Sequence, residues 1–105
     1  MKLVFMTYYV AMDGDVREIL ERCGITSYTQ WAQVTGRLSC GEPKEGNDVW
    51  PGYNTALQAV LREQTAEKLS AAIREYNATQ RGDERIDALF MQVESTIRAA
   101  DEFGS

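Results

Sequence analysis

The sequence predicts an α+β sandwich of order βαββαβ, and three observations predict it. Runs rich in apolar, β-branched and aromatic residues recur along the chain, stretches between them repeat apolar residues at helical spacing, and turn-forming residues separate the two kinds of segment. With 105 residues and a 44% hydrophobic content, the chain suits one domain built on a single modest core.

Leu3 to Val10, LVFMTYYV, is the first strand candidate, and AMDGD ends it. Val16, Ile19, Leu20 and Cys23 then fall at i, i+3, i+4 and i+7, the apolar stripe of a first helix. Asp15 with Glu18 resembles a capping box, and Gly24 stands where a left-handed C-cap is expected. Cys23 completes the stripe, so it reads as a small core residue rather than a ligand. The segment ITSYTQWAQVTGR, with Tyr28, Trp31 and Val34, supplies the second strand, and TALQAVLRE the third, from Thr55 to Arg62. Thr65 is placed to cap a second helix whose Leu69, Ala72, Ile73 and Tyr76 repeat the helical spacing. NATQRGDE ends that helix, RIDALFMQVE from Arg85 to Glu94 forms the fourth strand, and residues 96–103 suggest a short terminal helix. The domain therefore spans residues 1–95, with a tail at 96–105 whose closing EFGS reads as vector-derived.

Two right-handed split β-α-β units in this order interleave into a ferredoxin-like βαββαβ sandwich, with both helices on one face of an antiparallel sheet. The other face then has no cover from the same chain. Yet Ala56, Leu57, Ala59, Val60 and Leu61, and Leu3 to Met6, form nearly continuous apolar runs, which signal burial on both faces. Another copy of the chain is the simplest cover, and a monomer whose tail folds over the sheet is the alternative.

A net charge of -5 with no Lys/Arg cluster argues against nucleic acid as a ligand. No stretch approaches the roughly 20 apolar residues that cross a bilayer, so direct membrane insertion is not expected. Two cysteines without a C-x-x-C pattern fit free thiols in a cytoplasmic protein. The sequence contains no histidine, which removes Ser-His and Cys-His pairs and makes an enzyme a poor reading. Asp13 and Asp15 flank a helix start, where capping explains them.

Between the second and third strands the chain inserts GRLSCGEPKEGNDVWPGYN, Gly36 to Asn54, with four glycines and both of the chain's prolines. A two-residue turn closes such a hairpin, so the extra length points to contact with something else.

The stretch DVREILERCGITSYTQWAQVTGR, Asp15 to Arg37, resembles the P-II nitrogen-regulatory signalling proteins. Their first helix begins with a D-V-R-E-like motif, and a G-I-T-like turn leads into a second strand that ends in a G-R pair opening a long loop. Asp15, Val16, Arg17, Glu18, Gly24, Ile25, Thr26, Gly36 and Arg37 carry the match, and the element order agrees over roughly residues 2–95. The resemblance implies a homotrimer with the sheets facing inward, and clefts between subunits that bind a small molecule, in the family an adenine nucleotide. It also implies a long loop that engages a target protein such as a membrane transporter or a regulator. Gly36 and Arg37 match the pair beside the nucleotide. The family's second phosphate-facing loop, T-G-x-x-G-D-G-K-I, corresponds to TQRGDERI, where Thr79, Gly82, Asp83, Arg85 and Ile86 agree in kind. Gln80 and Glu84 replace glycines there, Leu38 stands where many members have glutamine, and the basic segment after the fourth strand is reduced to Arg98. A lost glycine keeps backbone N-H groups away from phosphate and an added carboxylate repels it. Tyr53 sits at the loop's exit, outside the usual setting of the family's modifiable tyrosine.

Three constellations remain open at this level. Cys40 with Glu42, Glu45 and Asp48 is either a site for a divalent or soft metal ion, which would connect the chain to cation tolerance, or a free thiol in an acidic loop. Trp50 and Tyr53, around a Pro-Gly turn, are either anchors for a partner or pins for the loop's exit. Arg37, Arg81 and Arg85 either converge as an anion clamp or pair with Asp83, Glu84 and Asp87. Leu38, Cys40, Glu42, Lys44, Trp50 and Tyr53 are the expected partner-facing positions of the loop.

Overall fold

The computed structural model describes residues 1–99, apart from the side chain of Asp83. Strand β1 (Lys2–Tyr9) leads through a 3-10 turn (Val10–Met12) into helix α1 (Asp13–Arg22), followed by β2 (Thr29–Val34), β3 (Asn54–Leu61), α2 (Glu63–Thr79), a 3-10 turn (Gly82–Glu84) and β4 (Asp87–Gln92). The four strands form one sheet in the order β2-β3-β1-β4, with every neighbouring pair antiparallel. This is the ferredoxin-like βαββαβ sandwich.

The period of two in β1 sorts its side chains. Val4, Met6 and Tyr8 face the helices with no exposed surface, where they pack with Val16, Ile19, Leu20, Leu57, Leu69 and Ile73. Cys23 belongs to this core, at the end of the α1 stripe. After it Gly24 takes φ 75°, and the amides of Gly24 and Ile25 return to the carbonyls of Glu21 and Leu20 at 3.0 and 2.9 Å. That pair of bonds is a Schellman motif, and the expected C-cap is present.

The opposite face is different. Register places Leu3, Phe5 and Thr7 beside Val60, Gln58 and Ala56 on β3 and beside Met91, Leu89 and Asp87 on β4. Trp31 of β2 joins that face opposite Ala56 and meets the Phe5 ring with centroids 6.3 Å apart. Trp31, Leu89 and Met91 keep 45%, 55% and 52% of their surface exposed, so among the described residues an apolar sheet face lies open. Thr96, Arg98 and Ala99 border it only at the Gln58–Val60 end, where Arg98 Nη1 donates to the Val60 carbonyl at 3.4 Å.

Two expected caps are corrected. Helix α1 begins at Asp13, because the preceding 3-10 turn feeds straight into it, and no side chain caps it. The Asp15 carboxylate instead accepts the Tyr76 hydroxyl at 2.8 Å, tying α1 to α2. Helix α2 starts at Glu63 with Arg62 at the N-cap, so Thr65 already lies inside it. Residues 96–98 have no regular structure, and the second half of the helix expected over 96–103 lies outside the described residues.

Candidate functional site

The Gly36 to Asn54 segment is folded back on its own chain rather than left as a structureless projection. Gly36 and Lys44 exchange two backbone hydrogen bonds of 2.7 Å, forming an isolated antiparallel bridge that divides the segment. The first part, 36–44, turns inward: Leu38 is buried, and the Arg37 Nε donates to the Gly41 carbonyl at 3.1 Å. Lys44 is buried too, with its ammonium 4.8 Å from the centre of the Tyr9 ring, a cation-π distance.

The second part, 45–53, is a compact tip. Asn47 Oδ1 accepts the amides of Val49 and Trp50 at 3.1 and 2.7 Å, an Asx turn that presents both residues outward. Val49 is 74% exposed. Gly46 has φ 66°, and any Cβ there would run into the Tyr53 ring. Tyr53 therefore pins the loop's exit, also through its carbonyl, which accepts the Val10 amide at 3.0 Å, while Trp50 stands on the exposed tip.

The segment after α2 is held just as locally. The Asn77 side chain donates to the Ile86 carbonyl and accepts the Ile86 amide, both at 2.8 Å, imitating a strand partner. Arg85 Nε donates to the carbonyls of Asn77 and Gln80 at the end of α2, at 3.2 and 3.1 Å. The Thr79 hydroxyl donates to the Tyr76 carbonyl at 2.9 Å.

These two segments, far apart in sequence, meet at one end of the sheet. Ser39 donates its amide and its hydroxyl to the two oxygens of Asp87, at 2.9 and 2.6 Å. The Cys40 thiol donates to the Gly82 carbonyl at 2.8 Å. Gly36 and Arg37 are thus joined through Ser39 and Cys40 to the 79–87 segment, which carries Thr79, Arg81, Gly82 and Arg85; the Asp83 side chain lies outside the described residues. No described ion pair links Arg37, Arg81 or Arg85 to Glu84 or Asp87, since Asp87 is engaged by Ser39. None of these residues lines either of the larger surface cavities, of about 490 and 530 Å³, which lie at the far end of the sheet around Arg98.

The metal reading finds no support: among the described residues no group of three or more Asp, Glu, Cys or His side chains is placed to hold an ion. Cys40 is occupied with a carbonyl instead.

Sequence reasoning missed a polar cluster at the edge of the core. Asp13 Oδ1 accepts the Tyr8 hydroxyl at 2.8 Å and the Gln30 amide at 2.7 Å, while Oδ2 accepts Arg17 Nε at 2.7 Å. Arg17 further donates to Gln30 Oε1 at 2.7 Å and to the Tyr28 hydroxyl at 3.0 Å. Partial burial by itself raises the Asp13 carboxyl, and this is the largest single influence. The Arg17 hydrogen bond and charge, with the Tyr8 and Gln30 donors, outweigh it and hold the group below its ordinary value. Burial first, and then the bond to Asp13, push the Tyr8 phenol well above its ordinary value. The period-two placement of Tyr8 on the core face was the available signal, because a buried tyrosine hydroxyl needs a partner.

No family model matches the chain, and no curated protein matches it in sequence. Solved structures do. A PII-like signalling protein from Thermus thermophilus superposes with a TM-score of 0.62 at 20% identity, over 86% of this chain and 83% of its own. CPII from Thiomonas intermedia, bound to ADP and bicarbonate, gives 0.65 at 19% identity, over 90% and 88%. A second CPII structure, with ADP, AMP and bicarbonate, gives 0.59 at 17% identity, over 88% and 92%. These neighbours share sheet and helices across nearly the whole length, and the fold of this chain is that of the PII-like signalling proteins.

Proposed function

We propose that the chain is a divergent PII-like signalling protein. It assembles as a homotrimer through the open sheet face, binds a small anionic ligand, an adenine nucleotide in the first instance, at clefts between subunits, and signals to a target protein through the 36–54 loop. The observation that carries this reading is the meeting of the Gly36-Arg37 loop base with the Thr79–Arg85 segment at one end of the sheet. The two segments that the family resemblance selects, more than 40 residues apart in the sequence, come together there. The ADP and bicarbonate held by CPII agree in chemical class with a site built from arginines and loop amides.

Apolar Trp31, Phe5, Leu89 and Met91 supply a reason to assemble, and assembly would complete a cleft that one subunit leaves open. Ligand contact with Arg37 and the 79–85 segment favours one arrangement of the loop, which changes how the Val49-Trp50 tip is offered to its target. A membrane transporter or a regulator is the class of target the resemblance suggests. No helix among the described residues is long and apolar enough to cross a membrane. A cytoplasmic location is part of the same proposal.

Thermal denaturation with ADP, ATP and AMP tests it. The expected result is stabilisation by at least one nucleotide that disappears in Arg37→Ala. Equal stabilisation of Arg37→Ala would place the ligand elsewhere.

A further inference from the structure

The contact that joins the two loops has a chemistry of its own. Ser39 offers a main-chain N-H and a hydroxyl to the same carboxylate, one to each oxygen, at 2.9 and 2.6 Å. A convergent pair of donors of this kind is the arrangement that recognises oxyanions. Here the oxyanion comes from the protein itself. Asp87 lies at the first position of β4, beside Thr7 in the register, so strand pairing holds its backbone while the loop that carries Ser39 has no such pairing at Ser39. The Cys40 thiol on the Gly82 carbonyl closes the same seam beside Ser39. The seam runs between the Gly36-Arg37 loop base and the Thr79–Arg85 segment, where the proposed ligand binds.

We infer that Asp87 is an internal competitor for the anionic ligand: its carboxylate occupies the Ser39 donors, holds the 37–41 segment shut over the 80–87 segment, and must be displaced before a phosphate can engage the loop base. This inference rests on the functional reading above. An incoming phosphate meets a negative charge already seated on the donors it needs, so the closed loop weakens binding, and the ligand opens the loop only by binding the open form more tightly. Neutralising Asp87 favours the open form and leaves the Ser39 donors available. Removing the Ser39 hydroxyl opens the loop as well, yet takes a donor from the ligand.

The test compares wild type, Asp87→Asn and Ser39→Ala by amide hydrogen exchange at residues 37–41 and by calorimetric titration with ADP. Exchange in both variants is expected to be roughly tenfold faster than in wild type, the loss of about one charge-assisted hydrogen bond. ADP binds Asp87→Asn more tightly than wild type, and the gain in Ser39→Ala is smaller. Unchanged exchange in Asp87→Asn would overturn the latch. Faster exchange with ADP binding equal to or weaker than wild type would overturn the competition and leave only a structural clip. Absence of ADP binding in all three proteins would sink the nucleotide reading instead, with the exchange rates still deciding whether Asp87 holds the loop shut.

Discussion

The two faces of the sheet use the same strands to opposite ends. On the helix face Val4, Met6 and Leu57 have no exposed surface, whereas on the open face Trp31, Leu89 and Met91 are roughly half exposed at 45%, 55% and 52%. Their apolar character is similar, and only the cover differs. The helix face is completed by α1 and α2 of the same chain, and the open face carries residues that a solvated strand would not need. One face therefore reports on the stability of the fold, and the other is where the proposed assembly can be tested.

Substitutions separate the two. Leu57→Ala removes side-chain volume from the closed core and is expected to cost about 2–5 kcal/mol in urea unfolding, by a loss that does not depend on protein concentration. Leu89→Glu places a charge on the open face. It should convert the proposed trimer to a folded single chain in light scattering, with stability that no longer rises with concentration. A Leu89→Glu protein that unfolds as readily at every concentration as Leu57→Ala would mean that the two faces are not distinct.

The boundary between the faces gives smaller effects. Asp13→Ala strands the buried Tyr8 hydroxyl and the donors of Gln30 and Arg17, with an expected cost of about 1–3 kcal/mol in the same unfolding measurement. The Asp13 carboxyl is held below its ordinary value in the folded chain. Its stabilisation is therefore complete above the unfolded carboxylate pKa of about 3.9 and is lost as the pH falls through the folded value. Asp13→Asn should flatten that acid limb, and an unchanged limb would assign acid unfolding to other carboxylates. Smallest and most local, Gly46→Ala forces a left-handed backbone onto a residue with a Cβ and pushes against Tyr53. The expected cost is about 1–2 kcal/mol, visible as faster amide exchange at residues 45–53 with little change in β1 or α1.

The sequence carried the regular elements well, since Val16, Ile19, Leu20 and Cys23 declare a stripe and Gly24 declares its end. It carried the caps poorly. Asp15 and Thr65 had the right residue types, but the 3-10 turn before α1 and the tertiary bond from Tyr76 decided where α1 begins and what Asp15 does. The candidate site was readable as two separate segments through their likeness to a family pattern. What joins them was not, because Ser39 and Asp87 are 48 residues apart and nothing in their local sequence marks the bond. The same holds for the burial of Lys44 in a loop whose composition is acidic. Local patterns record what a residue does within its own element, and these contacts arise only when distant elements meet.

The most direct measurement is the mass of the protein in solution across a dilution series, beside Leu89→Glu. A homotrimer gives three times the mass of the chain for the unaltered protein and a single chain for the variant. A single-chain mass for the unaltered protein at every concentration would contradict the homotrimer and the ligand clefts that depend on it.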